Sequence, residues 1–155
     1  MDRGGGGCIR PRDVSVRIHR RRGLALIRLC LDTTGYSRLM RGQPGLRERL
    51  EEADEILLPV TVLGELHAGF LGGRRTAENN ALLALFCTQP GVVVLDLTAS
   101  MAERYAAIVN MLKKSGTPIP TNDIWISAAA LENGGRIVAY DDHFNRVSGI
   151  IVESP

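Results

Sequence analysis

From about residue 24 onward, short apolar runs alternate with segments whose apolar positions recur every three or four residues. The short runs are apolar at consecutive positions, which is typical of strands buried on both faces of a parallel sheet. The pattern therefore predicts strands at 24–31, 56–60, 92–97 and 137–140, with 150–152 as a candidate fifth strand.

The segments between these runs predict helices, because their apolar residues fall on one face at a spacing of 3.6 residues. Thr61 is a candidate N-cap for the helix after the second strand, and Thr98 or Ser100 for the helix after the third. Strands alternating with helices indicate the α/β class, with a parallel sheet covered on both faces. The predicted helices are 35–41, 46–53, 61–70, 77–87, 98–114 and 123–131.

Length and composition are consistent with one folded domain. The chain has 155 residues, of which 45% are hydrophobic and 23% charged, and this excludes a disordered chain. No stretch approaches the roughly 18–20 apolar residues that a membrane span needs. The three cysteines, Cys8, Cys30 and Cys87, form no CxxC pair, so we expect a reduced, cytoplasmic protein rather than a disulfide or zinc scaffold.

Charge divides the chain into a basic arm and a mildly acidic domain. Residues 1–23 contain seven arginines and two aspartates, and they include a run of glycines at 4–7. We interpret 1–23 as a flexible Arg/Gly-rich arm and 24–155 as the folded domain. Such an arm can contact nucleic acid, or it can reflect a start codon assigned upstream of the true one.

Four acidic residues come from four separate segments, and three of them follow strands that a parallel sheet brings to one edge. Ligands bind such sheets beyond the carboxyl ends of the strands. Asp32 ends the first predicted strand, Glu65 lies early in the helix after the second, and Asp141 follows the fourth. Asp123 begins a helix, where backbone N–H groups and the helix dipole favour a carboxylate.

If these carboxylates converge, a divalent cation is the natural way to offset their repulsion. An all-oxygen set favours Mg²⁺ or Mn²⁺ over zinc, and such a cation suits phosphodiester hydrolysis. Single aspartates at strand ends or helix starts more often form caps and turns. Spacing alone therefore leaves both interpretations open.

Short motifs surround the four acids: LDTT at 31–34, VTVLGEL at 60–66, NDIWISAA at 122–129 and VAYDDHF at 138–144. Their order and spacing resemble the PIN domain family of metal-dependent nucleases. Within that family they look like the VapC branch, the toxins of bacterial toxin–antitoxin pairs. The resemblance covers about residues 25–155 and leaves the basic arm outside.

This resemblance implies a three-layer α/β/α PIN-like fold with a central parallel sheet. It also implies a Mg²⁺-dependent endoribonuclease with an RNA substrate, for which Mn²⁺ is an alternative cofactor. The expected protein partners are a cognate antitoxin and a second copy of the chain in a homodimer.

The resemblance also assigns roles to individual residues. Asp32 and Asp123 would be the principal metal ligands. Glu65 would complete the acidic pocket and help to orient a metal-bound water, and Asp141 would be the fourth, more peripheral acid. Thr33 or Thr34 would donate a hydroxyl to Asp32 or to that water.

The fourth motif departs from the family pattern at Ala139, where Thr or Ser is common. It also offers two acids, and we favour Asp141 over Asp142 because Asp141 comes first after the strand. His67 lies two positions past Glu65, which on a helix turns it about 200° away, so we expect a surface or dimer-contact residue. His143 could approach RNA, but we expect a loop role for it.

Two alternatives remain at this point. A PIN-like domain could bind RNA without cleaving it. A receiver-type signalling domain could use Asp96 as phospho-acceptor, with Asp32 as a metal ligand and Thr98 as a nearby hydroxyl. The receiver alternative needs a lysine beyond a late strand, which the segments after the fourth and fifth strands lack, and it leaves Glu65 and Asp123 without a role.

Overall fold

The computed structural model describes residues 14–18 and 25–155. Within them, five strands form one sheet in the order β3-β2-β1-β4-β5, and every neighbouring pair is parallel. The strands are β1 (Arg28–Leu31), β2 (Glu55–Pro59), β3 (Val92–Leu95), β4 (Arg136–Val138) and β5 (Val152–Glu153).

Helices connect the strands and give a three-layer α/β/α arrangement, as the alternating pattern predicts. They are α1 (Thr33–Met40), α2 (Leu46–Glu51), α3 (Val60–Leu71), α4 (Thr76–Cys87), α5 (Ala99–Ser115) and α6 (Thr121–Asn133). A short 3₁₀ helix (Phe144–Arg146) lies between β4 and β5.

The main core is centred on the sheet, where consecutive residues of β1 and β2 are buried on both faces. A second, smaller cluster lies between α5 and α6. It joins Ile108 and Leu112 of α5 to Ile124 and Ala128 of α6. This packing fixes the position of α6 and of the acidic residue in its first turn.

Some elements are shorter than the pattern predicts, or begin elsewhere. Pairing of β1 begins at Arg28, and Leu26, inside the predicted strand, is 54% exposed. The predicted N-cap at Thr61 is wrong, because β2 runs directly into α3 and Pro59 occupies the cap position. Strand β3 lies at the sheet edge, and Val93 in it is more exposed than a residue of a strand covered on both faces.

Residues 14–18, which fall within the predicted arm, lie against the folded domain. Val14 and Val16 are buried in the main core, and Ile18 covers Gly91. The guanidinium of Arg47 in α2 donates to the carbonyl of Ser15. Residues 1–13 and 19–24 lie outside the described residues, so the flexible arm itself stays a prediction.

The strand order places the start of α1 at a crowded point of the sheet. Strand β1 has β2 on one side and β4 on the other, so the order in which the strands are added to the sheet reverses between β1 and β4. Ligand sites of open α/β sheets lie at the carboxyl ends of such strands. Gly35 lies in this crevice, where a Cβ would stand 3.0 Å from both the Val138 carbonyl oxygen and Asp32 Oδ1.

In the part of the chain that the structure describes, no helix combines the length and the apolar character that a membrane crossing requires.

Replacing Gly35 with alanine should lower the free energy of unfolding by about 1–3 kcal/mol, because the added methyl has to displace backbone of β4. Gly69→Ala is the matched control: this helical glycine has open space around it, and we expect a gain of up to about 1 kcal/mol. Urea denaturation measures both variants. Equal stability of the two would contradict the packing at Gly35.

Val16→Asp should lower the free energy of unfolding by about 2 kcal/mol or more, because it buries a charge in the core. Ser15→Asp, at the neighbouring exposed position, should change stability by less than about 0.5 kcal/mol. Thermal and urea unfolding of the two variants checks this. A Val16→Asp variant as stable as the parent would show that residues 14–18 do not pack on the core.

Candidate active site

Asp32 links the end of β1 to the start of α1. Its side chain caps α1, and Oδ1 accepts the backbone N–H of Gly35 at 2.5 Å. The residue is only 4% exposed. Burial is the main reason that the pKa of Asp32 is raised to about 7; the nearby carboxylates of Asp141, Asp123 and Glu65 also raise it, and the Gly35 N–H lowers it.

Asp123 lies in the first turn of α6, where the free backbone N–H groups favour a negative charge. Its carbonyl oxygen accepts the hydroxyl of the buried Ser127 at 2.7 Å. Burial raises the pKa of Asp123, and the neighbouring Asp141 and Glu65 add to that rise, while His143 opposes it.

Glu65 extends from α3 and is held at both carboxylate oxygens. The Thr33 hydroxyl donates to Oε2, and the Asn122 amide donates to Oε1 at 2.8 Å. The predicted hydroxyl support from Thr33 therefore goes to Glu65 and not to Asp32. Thr34 lies on the adjoining groove described below.

Asp141 and His143 form a tight turn after β4. Asp141 Oδ1 accepts the backbone N–H of His143 at 3.0 Å. His143 Nδ1 lies 2.9 Å from Asp123 Oδ2 and 3.6 Å from Asp141 Oδ1. One ligand atom from each of the three residues lies within 4.8 Å of the others, and Asp142 is exposed beside them.

The four predicted acids thus meet in one electrostatic neighbourhood. Asp32 is influenced by all three of the others, and Asp123 and Asp141 also share close contacts with His143. Sequence reasoning did not predict the contacts of His143 with Asp123 and Asp141, and it gave no role to Asn122. The available signal for His143 was its position two residues after Asp141 and directly before a buried aromatic.

Other residues weighed from the sequence lie elsewhere. His67 is exposed on α3 and pairs with Asn80 at 2.8 Å, in line with the expected surface position. Asp96 is exposed after β3, and β2 separates β3 from β1, so Asp96 is not beside Asp32 as the receiver alternative requires. The Ala139 side chain is buried, and its carbonyl accepts the Ser154 hydroxyl at 2.7 Å.

An open groove adjoins the acids on the side of α1. The guanidinium carbon of Arg38 lies over the ring of Tyr140, 4.1 Å from the ring centroid. Tyr140 directly precedes Asp141 in the sequence. The groove therefore carries positive charge beside a negatively charged centre. It is lined by Thr33, Thr34, Ser37, Arg38, Arg41, Gly42, Gln43 and Pro44.

The donor set fits a divalent cation. Carboxylate oxygens are the ligands that hard divalent ions prefer, and Asp123 and Asp141 present two of them with the imidazole of His143. Burial, with smaller contributions from the neighbouring carboxylates, raises the pKa values of Asp32 and Asp123, so their charged forms are costly without a cation.

This chain resembles known proteins in both sequence and fold. Ribonuclease VapC1 of Haemophilus influenzae strain R2866 is 26% identical over 125 residues, which are 77% of this chain and 92% of that protein. The structure of DNA-bound VapBC from Salmonella typhimurium aligns with a TM-score of 0.74 at 25% identity, covering 83% of this chain and 98% of that one. VapBC-1 from nontypeable Haemophilus influenzae aligns equally well, over 82% and 97% at 25% identity.

The profile of the PIN domain family matches residues 29–150. That range includes all four acids, the groove on α1, strands β2 to β4 and all of β1 except its first residue. A match over this much of the chain establishes that the protein belongs to the PIN domain family.

Proposed function

We propose that this chain is a Mg²⁺-dependent endoribonuclease, the toxin component of a toxin–antitoxin pair. The observation that carries the proposal is the convergence of Asp32, Glu65, Asp123 and Asp141 at the carboxyl ends of β1 and β4. The similarity to Ribonuclease VapC1 over most of both chains supports RNA as the substrate.

Asp32 and Asp123 are the principal ligands of the cation in this proposal, and Asp141 and Glu65 support them. When bound, a Mg²⁺ ion would activate a water and stabilise the negative charge that develops during phosphodiester cleavage. Mn²⁺ is the expected substitute, since it accepts the same oxygen donors.

Glu65 orients the attacking water in this proposal. Its two oxygens are already fixed by Thr33 and Asn122, and a carboxylate oxygen can accept more than one hydrogen bond. The carboxylate is therefore held in place before any substrate arrives, which reduces the cost of ordering the water during the reaction.

The groove on α1 supplies the positive charge that the acidic cluster lacks. A carboxylate cluster repels phosphate, so RNA needs cationic side chains close by. Arg38 and Arg41 line that groove within reach of Thr33, and we assign to them contacts with the RNA backbone. Arg38 is also held against Tyr140, which limits its motion.

The VapBC structures that resemble this chain are complexes, and this supports an antitoxin protein as partner. We also propose a homodimer and a cytoplasmic location, as the family resemblance implies. A PIN-like domain that binds RNA without cleaving it remains the outcome to be tested against these proposals.

Asp123→Asn should reduce RNA cleavage by at least about 100-fold, because it removes a cation ligand while keeping the side-chain shape. Excess EDTA should abolish cleavage, and added Mg²⁺ or Mn²⁺ should restore it. The assay uses total cellular RNA and protein shown by size-exclusion chromatography to be free of any partner.

Asp142→Asn is the matched control, because it removes a neighbouring exposed carboxylate and should leave cleavage within about 3-fold of the parent. Cleavage that persists in EDTA would contradict the metal mechanism. Partner-free protein that leaves RNA intact with either cation would instead support the non-cleaving alternative.

The pKa of Asp32 predicts a pH dependence of cation binding. Folded, metal-free protein keeps the Asp32 proton up to about pH 7, whereas the unfolded chain releases it near pH 4. The stability that this group contributes is therefore fully present below about pH 4 and is lost as the pH rises through about 7. A cation needs the deprotonated carboxylate, so Mg²⁺ should raise the melting temperature more at about pH 8 than at about pH 6.

Differential scanning fluorimetry with and without Mg²⁺ measures this difference. Asp32→Asn, which keeps the acceptor for the Gly35 N–H, should weaken the Mg²⁺ effect and flatten its pH dependence. A Mg²⁺ effect in the parent that is the same at both pH values would refute the assignment of Asp32 as a ligand.

A further inference from the structure

We propose that His143 binds the divalent cation directly through Nδ1, beside Asp123 and Asp141. The centre then has a mixed nitrogen and oxygen donor set, which strengthens the binding of the substitute ion Mn²⁺ relative to Mg²⁺, the ion of the proposed function. This inference rests on the proposed function in one respect, namely that a cation occupies the acidic cluster.

The distances fit shared coordination. Two neighbouring ligands of an octahedral ion, each bonded at about 2.1 Å, lie about 3.0 Å apart. His143 Nδ1 is 2.9 Å from Asp123 Oδ2 and 3.6 Å from Asp141 Oδ1. The first distance matches this spacing and the second is longer, so a shared cation requires the Asp141 carboxylate to move closer to the ring.

Contacts on either side of His143 fix its backbone beside Asp123 without help from a ligand. The N–H of His143 donates to Asp141 Oδ1, which closes the turn after β4. The next residue, Phe144, is fully buried and anchors the 3₁₀ helix in the core. At the other end of that helix, the Arg146 guanidinium donates to the Pro118 carbonyl at 3.1 Å.

A nitrogen donor changes which ion the site prefers. Mg²⁺ is a hard ion that takes oxygen ligands almost exclusively, whereas first-row transition ions accept imidazole readily. Replacing the imidazole should therefore weaken Mn²⁺ binding more than Mg²⁺ binding. A cluster of carboxylates alone would show no such difference.

The competing role for His143 is that of a positioning residue. In that case its Nδ1–H donates to Asp123 Oδ2, and the ring never contacts the cation. Both roles place the ring at the same distance from Asp123, so loss of activity on mutation cannot separate them. A direct bond between nitrogen and metal can be detected spectroscopically.

The deciding experiment is pulsed EPR of the full chain loaded with Mn²⁺, in the absence of RNA. A directly bound imidazole produces ¹⁴N modulation of the electron spin echo. We expect this modulation in the parent and in His67→Ala, the matched control for an exposed histidine on α3, and its loss in His143→Gln. Isothermal titration should show Mn²⁺ affinity falling by about 10-fold or more in His143→Gln, with a smaller change for Mg²⁺.

Absence of ¹⁴N modulation in the parent, its persistence in His143→Gln, or failure of the parent to bind Mn²⁺ would each overturn the proposal. RNA cleavage by the same samples separates this inference from the proposed function. RNA cleavage without ¹⁴N modulation would contradict only the proposal that His143 is a ligand. Modulation that depends on His143, in a protein that does not cleave RNA, would support His143 as a ligand and contradict only the proposed nuclease function.

Discussion

The cost of charging four carboxylates that are gathered and partly buried at one edge of a parallel sheet is the constraint on which the rest of the site depends. Burial and the neighbouring charges raise the pKa of Asp32 to about 7 and also raise that of Asp123. A bound cation would offset this cost, which is why we propose that the four acids act together.

The surrounding structure holds these charges together through specific contacts. The start of α1 provides an N–H for Asp32, and this helix can approach β4 closely because Gly35 has no side chain. Thr33 and Asn122 fix Glu65 between them, and the turn at Asp141 directs the ring of His143 towards Asp123. Each contact comes from a residue within a few positions of an acid, so the motifs encode the support as well as the ligands.

The periodicity of the sequence was sufficient to predict the α/β class, the parallel sheet and the segments that carry the acids. It could not predict that Thr33 serves Glu65, because the two residues are 32 positions apart and meet only through packing of α1 against α3. The position of His143 depends on a turn closed by Asp141 and on the burial of Phe144. Pairing within the sheet likewise decided where β1 begins and that β3 lies at an edge.

The central claim is that a divalent cation occupies the centre formed by these acids. The most direct test is a crystal structure of the chain with Mn²⁺, using anomalous scattering to locate the ion. The account predicts one strong anomalous peak within about 2.3 Å of carboxylate oxygens from Asp32 and Asp123, with Asp141 close to it. Direct binding by His143 places its Nδ1 within about 2.3 Å of the same peak. Clear density for these side chains with no anomalous peak among them, at a Mn²⁺ concentration of about 10 mM or more, would contradict the central claim.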